Sequence, residues 1–154
     1  MGKLQVLSNP GRIEPRSSSV APEFVAETEL ADALLALSTP FVPNADRVLF
    51  RQGDMPTALY LVKKGEVALA LESEGRIVIC VRAGAGSLVG LPAIVGNKPY
   101  TLTAAPCGDA DICQVSRKVF AKFLAENPGL SMKVLQVLAA EIRLARRAMM
   151  DLAS

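Results

Sequence analysis

The sequence predicts a mainly β fold with flanking helices: an antiparallel double-stranded β-helix, or jelly-roll-like β-roll, with a short N-terminal helix and two C-terminal helices. Glycines recur about every ten residues between Gly53 and Gly108, with short β-rich runs between them, a spacing typical of antiparallel barrels and rolls. Apolar residues repeat at helical spacing before and after that region. The length of 154 residues suits one domain with its own core.

The N-terminal region divides into an arm and a helix. Residues 1–22 contain three prolines and a serine run without a sustained apolar period, so we expect a flexible arm there. The β-roll is then expected over residues 23–127, and its first element is a helix over Glu27–Leu37. Thr28 is the expected N-cap of this helix, and Pro40 lies just past its end.

Six short runs predict the strands of the roll, because they are rich in β-branched and apolar residues. Lys64-Gly65 and Glu74-Gly75 are the expected hairpin turns, since each pair supplies a residue that accepts a positive φ. The predicted strands are Val48–Arg51, Leu59–Lys63, Val67–Leu71, Arg76–Arg82, Tyr100–Ala105 and Ala110–Val115.

The residues after the strands predict two helices. Ser116 is placed to begin the first, over Arg117–Glu126, and Asn127-Pro128 separates it from the second, over residues 128–154. Along the second helix an apolar seam recurs at spacings of 3, 4, 3, 4 and 3, which is typical of a heptad. The seam consists of Leu135, Leu138, Ile142, Ala145, Met149 and Leu152.

Two interpretations of this seam remain open. In one, the helix packs on its own roll. In the other, the seam joins two copies in a parallel homodimer, while Leu130, Val134 and Val137 pack inward. A seam of this length is marginal without support from the domain, because short helices gain little stability by themselves.

Composition excludes several classes of function. The sequence has no histidine, which removes imidazole catalysis and imidazole metal ligation. Its three cysteines are too few for an iron–sulfur cluster; Cys80 and Cys113 are expected in buried strand positions and Cys107 in an exposed turn. We therefore predict no catalytic residue, no metal and no cofactor. Without a signal peptide or a run of 18 apolar residues, the protein is expected to be cytoplasmic, with no membrane contact.

The charge distribution argues against nucleic-acid binding. The formal net charge is only +2, and the basic group Arg143, Arg146 and Arg147 is best explained by cations near a helix C-terminus. No recognition helix is evident after the final helix, so we expect no direct DNA binding by this chain.

Four stretches carry a resemblance to a known family. Two are anchored by glycine and stand in register, VLFRQGD over residues 48–54 and LYLVKKGEV over residues 59–67. The others are Gly86–Gly90 and Arg117–Phe120. Together they resemble the cyclic-nucleotide-binding domain of Crp/Fnr-type regulators, over about residues 25–152. The resemblance implies a regulatory β-roll with a phosphate-binding cassette that starts near Gly90.

The cassette departs from that family's pattern. The resemblance implies a Glu directly after the cassette glycine and, further on, an Arg followed by Ser or Thr. Here Leu91 follows Gly90, and the later pair is Pro99-Tyr100 or Tyr100-Thr101. Without the carboxylate and the guanidinium we expect cAMP and cGMP binding to be weak or absent. The predicted ligand-binding positions are Val89, Gly90, Leu91, Pro92, Ala93, Pro99, Tyr100 and Thr101.

Other side chains near the cassette change this expectation little. Lys98 and Arg82 are interpreted as solvated surface charges rather than substitutes for the missing Arg. Tyr100 and Thr101 offer hydroxyls, although such residues in strands usually serve packing. Four further residues are expected to make the cavity mostly apolar, so that it is either filled by its own side chains or open to a neutral ligand: Leu88, Leu91, Ile94 and Val95.

These observations favour a non-catalytic sensory or regulatory module that forms a homodimer through its last helix. Its effector would be a small molecule of unknown identity, bound weakly if at all. A second hypothesis is a ligand-free protein–protein interaction module that pairs with a full-length regulator through the same seam. A third is the truncated remnant of a transcription factor.

Overall fold

The computed structural model describes residues 21–43 and 45–153, with the side chains of residues 148, 149 and 151–153 outside the described part. Within it the chain forms five strands and four α-helices. The arm predicted over residues 1–22 lies outside the described residues as far as residue 20. Ala21 donates its backbone N–H to the carbonyl of Arg82 at 2.8 Å, and a 3₁₀ turn covers Pro22–Phe24.

The roll is an antiparallel sheet with the order β1-β5-β2-β3, in which β4 also pairs with β2. Strands β2 and β5 are the longest and pair from Ala58↔Ser116 to Ala70↔Thr103. The mainly β fold with flanking helices is confirmed. The strands are β1 (Thr39–Pro40), β2 (Ala58–Ser73), β3 (Arg76–Ala83), β4 (Leu88–Val89) and β5 (Thr103–Ser116).

The prediction of a hairpin turn at Lys64-Gly65 is wrong. Gly65 lies inside β2, where register shifts on either side of Lys64 mark an irregularity in the pairing with β5. Its φ is +81°, and a Cβ at this position would lie 2.9 Å from the Cα of Ala110. Glycine therefore allows a bulge and a close strand approach here, not a turn. The strands predicted on either side of Gly65 form one continuous strand, and those predicted around Gly108 also join, as β5.

The predicted strand Val48–Arg51 is also wrong. Phe50 forms an isolated bridge with Ala104, and backbone hydrogen bonds between the two segments resume at Gly53, which donates to the Tyr100 carbonyl at 2.8 Å. The ladder is interrupted between these points, where the backbone N–H of Gln52 donates to the Thr103 hydroxyl at 2.9 Å instead of to a strand carbonyl.

The predicted turn at Glu74-Gly75 is confirmed. Glu74 and Gly75 connect β2 to β3 with φ values of 52° and 76°. Two consecutive positive φ values are what a two-residue hairpin of type I′ requires.

Both predicted helical regions are confirmed, with one error in capping. Thr28 is the first residue of α1, and its N-cap is Glu27, whose side chain makes no capping hydrogen bond. Ser116 caps α3 as predicted and accepts from the Val119 N–H at 3.2 Å. Helix α2 was not predicted, and part of it was expected to be a loop. The helices are α1 (Thr28–Ala36), α2 (Leu91–Gly96), α3 (Arg117–Glu126) and α4 (Pro128–Ala153).

Two buried apolar clusters hold these elements together. One fills the roll and includes Phe50, Tyr60 and Leu69. The other lies between the roll and the helices and includes Leu34 and Phe120. Helix α4 contributes to both, since Val134 and Val137 pack in the second cluster and Leu144 packs against the first. No helix in the described part is long and apolar enough to span a membrane.

Candidate functional site

A cavity of about 690 Å³ opens between the roll and α4, within the size range of small-molecule sites. Strands β2 and β3 form one wall with Leu69, Leu71, Ile79 and Val81. The segment from Gly90 to Leu102 forms a second wall. Helix α4 forms a third with Glu141, Leu144 and Ala145, and Phe24, Phe50, Gln52 and Gly53 complete the lining.

Gly90 allows two aromatic rings to close the cassette wall. Tyr100 and Phe50 stack with ring centroids 3.7 Å apart and planes 10° from parallel. A Cβ on Gly90 would lie 3.1 Å from Cε1 of Tyr100 and 3.4 Å from Cε2 of Phe50, and the φ of Gly90 is +94°. Both the conformation and the lack of space require glycine at this position.

The Tyr100 hydroxyl is fully engaged by the roll. It donates to the carbonyl of Ala58 at 2.8 Å and accepts from the backbone N–H groups of Thr57 and Ala58 at 3.3 and 3.4 Å. Of the two residues matched to the family's arginine in the alternative alignments, Pro99 and Tyr100, the tyrosine is thus a buried packing residue. Its hydroxyl is not free for a ligand.

Gln52 is similarly engaged. Its side-chain amide donates to the Glu72 carbonyl at 3.1 Å and accepts from the Glu72 N–H at 2.9 Å. This pair of bonds fixes the turn after Phe50 to the end of β2. Gln52 therefore shapes the cavity wall without leaving its amide free for a ligand.

The structure separates the predicted ligand-binding residues into two groups. Six of the eight line the cavity, whereas Val89 and Leu91 are fully buried in the first and second apolar clusters. The four residues predicted to make the cavity apolar do not line it. Leu88, Leu91 and Ile94 pack in the second cluster, and Val95 is exposed. The six that line the cavity are Gly90, Pro92, Ala93, Pro99, Tyr100 and Thr101.

Among the described residues that line the cavity, Lys98 is the one cation. Lys98 and Thr101 are exposed, which places them at the rim. Arg82 lies outside the lining and pairs with Glu66, its guanidinium Nη1 3.2 Å from the carboxylate. Arg82 was predicted to be a solvated surface charge, but it is half-buried and ion-paired.

Glu141 is a candidate functional residue that was not predicted from the sequence. It lines the cavity, is only 6% exposed, and its Oε2 has no hydrogen-bond partner among the described residues. Burial raises the pKa of Glu141 to about 9, so the carboxyl group is neutral at pH 7. A signal was available, because Val134, Val137, Glu141 and Leu144 lie on one helix face at spacings of 3, 4 and 3.

The predicted seam on α4 is partly exposed. Leu135 and Ile142 are 51% and 47% exposed, whereas Leu138 packs partly against the second cluster. Ala145 lines the cavity. The side chains of Met149 and Leu152 lie outside the described residues.

The explanation offered for the basic group on α4 is wrong for Arg147. Helix α4 continues to Ala153, so Arg147 lies more than a turn before its end. Arg147 instead pairs with Glu23 of the 3₁₀ turn at 2.7 Å. This ion pair joins α4 to the start of the described chain.

The cysteines give no support for a reactive or metal site. Cys107, predicted to be exposed, is half-buried, and Cys80 is half-buried rather than buried. Burial raises the pKa of Cys107, which lowers the thiolate fraction on which reactivity depends. Among the described residues, no three Cys, Asp or Glu side chains are grouped to hold a metal ion.

Comparison with known proteins identifies the family and the fold. The family model of the cyclic nucleotide-binding domain matches residues 44–127. Among solved structures, the Thermus thermophilus catabolite activator protein is 23% identical with a TM-score of 0.68, covering 86% of this chain and 63% of that one. A cyclic nucleotide-binding domain from Methylobacillus flagellatus is 24% identical with a TM-score of 0.62, covering 79% and 70%. At these identities the likeness shows the fold.

The chain is also similar to a lysophospholipase, nte1, of Aspergillus fumigatus. It is 30% identical over 101 residues, which is 65% of this chain but 7% of the lysophospholipase. The chain therefore spans a small segment of the curated relatives it matches.

Proposed function

We propose that this chain, which belongs to the cyclic nucleotide-binding domain family, is a non-catalytic regulatory module whose pocket does not hold cAMP or cGMP tightly. One observation supports this above all. Neither residue matched to the phosphate-binding arginine, Pro99 or Tyr100, carries a positive charge, and the Tyr100 side chain is buried and hydrogen-bonded to the backbone of β2.

A cyclic phosphate finds little to compensate its charge in this pocket. Bound phosphates are normally held by backbone N–H groups and a guanidinium or ammonium group. Pro92, in the first turn of α2, has no N–H to offer. Lys98 at the rim is solvated, so its attraction for an anion is screened. Glu141 on the opposite wall supplies no positive charge.

Isothermal titration of the protein with cAMP and with cGMP tests the proposal. The expected result is no saturable binding at ligand concentrations up to about a hundred micromolar. A member of the family that retains both the Glu and the Arg of the cassette serves as the positive control. Micromolar affinity for either nucleotide would overturn the proposal.

We further propose that the module is a homodimer joined by the exposed apolar face of α4. Leu135 and Ile142 lie seven residues apart, two turns along one face, and each is about half exposed. Contiguous exposed apolar surface marks interaction sites, and this row supports such a surface along α4. Since α4 also carries Glu141 and Leu144 in the cavity wall, occupancy of the cavity would be transmitted through this helix.

Sedimentation velocity tests the dimer. The protein is expected to sediment as a dimer at micromolar concentration, and Ile142→Glu is expected to convert it to a monomer because a charge would be buried in the interface. Gln136→Glu, at an exposed position of the same helix, is the matched control and should remain dimeric. A monomer at high concentration would contradict the proposal.

The exposed face of α4 also supports the alternative of an interaction module that pairs with a full-length regulator. The two candidates differ at the cavity, because a ligand-free module needs no open pocket. A cavity of about 690 Å³ whose lining includes Glu141, a residue with an unpartnered carboxyl oxygen, favours the sensory function.

A further inference from the structure

We propose that the cavity binds an uncharged, mostly apolar molecule bearing a carbonyl or similar hydrogen-bond acceptor, and that Glu141 in its neutral form donates to that acceptor. The inference rests on the proposed function, since it assigns a ligand class to the same pocket. In this proposal the side chain that recognises the ligand lies on helix α4 and not in the cassette.

The lining limits the polar groups a ligand can meet. The Tyr100 hydroxyl and the Gln52 amide are occupied by the roll itself. Of the described side chains, Lys98 and Thr101 remain at the exposed rim and Glu141 lies inside. A ligand that enters past the rim therefore meets aliphatic and aromatic walls with Glu141 as the unengaged polar side chain. Buried polar groups are nearly always hydrogen-bonded, so an unpartnered oxygen in such a wall indicates a missing partner.

The charge state of Glu141 selects an acceptor over a cation. Burial raises its pKa to about 9, so at neutral pH the carboxyl group carries a proton to donate. The charged groups near it do not change this, since Lys98 is solvated at the rim and Glu23, in the turn packed on α4, is paired with Arg147. An amine ligand would require Glu141 to ionise and the ammonium group to lose its water, which costs desolvation twice. A carbonyl group requires neither.

Three ten-carbon probes of matched length test the inference: decan-2-one, decylamine and decanoate. Their affinities for the full chain are measured by NMR titration at pH 7. Decan-2-one is expected to bind more tightly than the amine or the carboxylate. Tightest binding by decylamine, or no saturable binding by decan-2-one, would overturn the inference.

Two substitutions of similar size separate the hydrogen bond from simple packing. Glu141→Gln keeps an N–H donor and should retain the ketone affinity within about threefold, whereas Glu141→Met keeps the length without a donor and should lose roughly tenfold. Equal ketone affinity for Glu141→Met and the unsubstituted protein would overturn the role of Glu141. Thermal unfolding of both variants verifies that they fold.

The outcomes distinguish the two proposals. Tight cAMP or cGMP binding overturns the proposed function itself. Failure of decan-2-one to bind, with no cyclic nucleotide binding either, overturns the ligand class alone and leaves the regulatory module with another ligand or none.

Discussion

The cassette wall and the α4 wall of the cavity satisfy their polar groups in opposite ways. On the cassette wall the Tyr100 hydroxyl makes three hydrogen bonds to the backbone of Thr57 and Ala58. On the α4 wall Glu141 is buried to a similar degree, yet one of its carboxyl oxygens has no partner in the described part of the chain. One wall is complete without a ligand and the other is not.

This difference indicates where the structure is rigid and where it can respond. Satisfied buried groups stabilise the fold and leave nothing to gain from a ligand. An unsatisfied buried group destabilises the free protein, and a ligand that forms the missing hydrogen bond recovers that free energy on binding. The walls should therefore respond oppositely to substitution, the cassette losing stability when a polar group is removed and α4 gaining it.

The largest expected effect is on α4. The pKa of Glu141 rises from an ordinary 4.5 to about 9 on folding, so between these pH values the folded state holds a proton that the unfolded state has lost, and stability falls as pH rises. Glu141→Gln removes this dependence. At pH 7 we expect the variant to be more stable by on the order of 3 kcal/mol, with little difference at pH 4.

Urea denaturation of the unliganded protein at pH 4, 7 and 8 measures this effect. Glu126→Gln, which changes an exposed carboxylate at the end of α3, is the matched control and should alter stability by less than about 0.5 kcal/mol. A variant Glu141→Gln that is less stable than the unsubstituted protein at pH 8 would show that the ionised carboxylate has a partner.

On the cassette wall the next largest effect is expected at Gly90. Gly90 and Gly53 have nearly equal φ values, +94° and +97°, but a Cβ meets Tyr100 at 3.1 Å at Gly90 and nothing within 4 Å at Gly53. Both alanine substitutions carry the backbone strain, about 1–2 kcal/mol, and only Gly90→Ala adds crowding, for a total of about 2–3 kcal/mol. Chemical denaturation gives both values. Equal losses would show that the stacked rings move aside freely.

The sequence predicted the roll because its signals are local. The pair Glu74-Gly75 favours a hairpin turn independently of distant residues. The apolar periodicity of α1, α3 and α4 likewise predicts a helix in each of these segments. The turn predicted at Gly65 was wrong for a physical reason, since a residue with a positive φ is found in turns and in bulges alike. Only the approach of Ala110 on β5, a long-range contact, decides between them.

The site was predictable from the sequence only in part. The departures at Leu91 and Tyr100 were visible in the chain, but Leu91 turned out to pack away from the cavity. Glu141 lies about forty residues beyond the cassette, and its periodicity with Val134, Val137 and Leu144 indicates burial without showing what it faces. Its role depends on how α4 crosses the open side of the roll.

The smallest losses of stability are expected at the two buried tyrosines of the roll. Tyr100→Phe leaves the Ala58 carbonyl and two N–H groups without their partner, so we expect a loss of about 1–3 kcal/mol while the stack on Phe50 persists. The Tyr60 hydroxyl donates to the Leu49 carbonyl at 3.2 Å and also interacts with the Thr57 side chain, and Tyr60→Phe should cost about 1 kcal/mol. Thermal unfolding of the two variants orders them. A Tyr100→Phe variant as stable as the unsubstituted protein would mean that the cassette wall is no better satisfied than α4, and the contrast between the walls would fail.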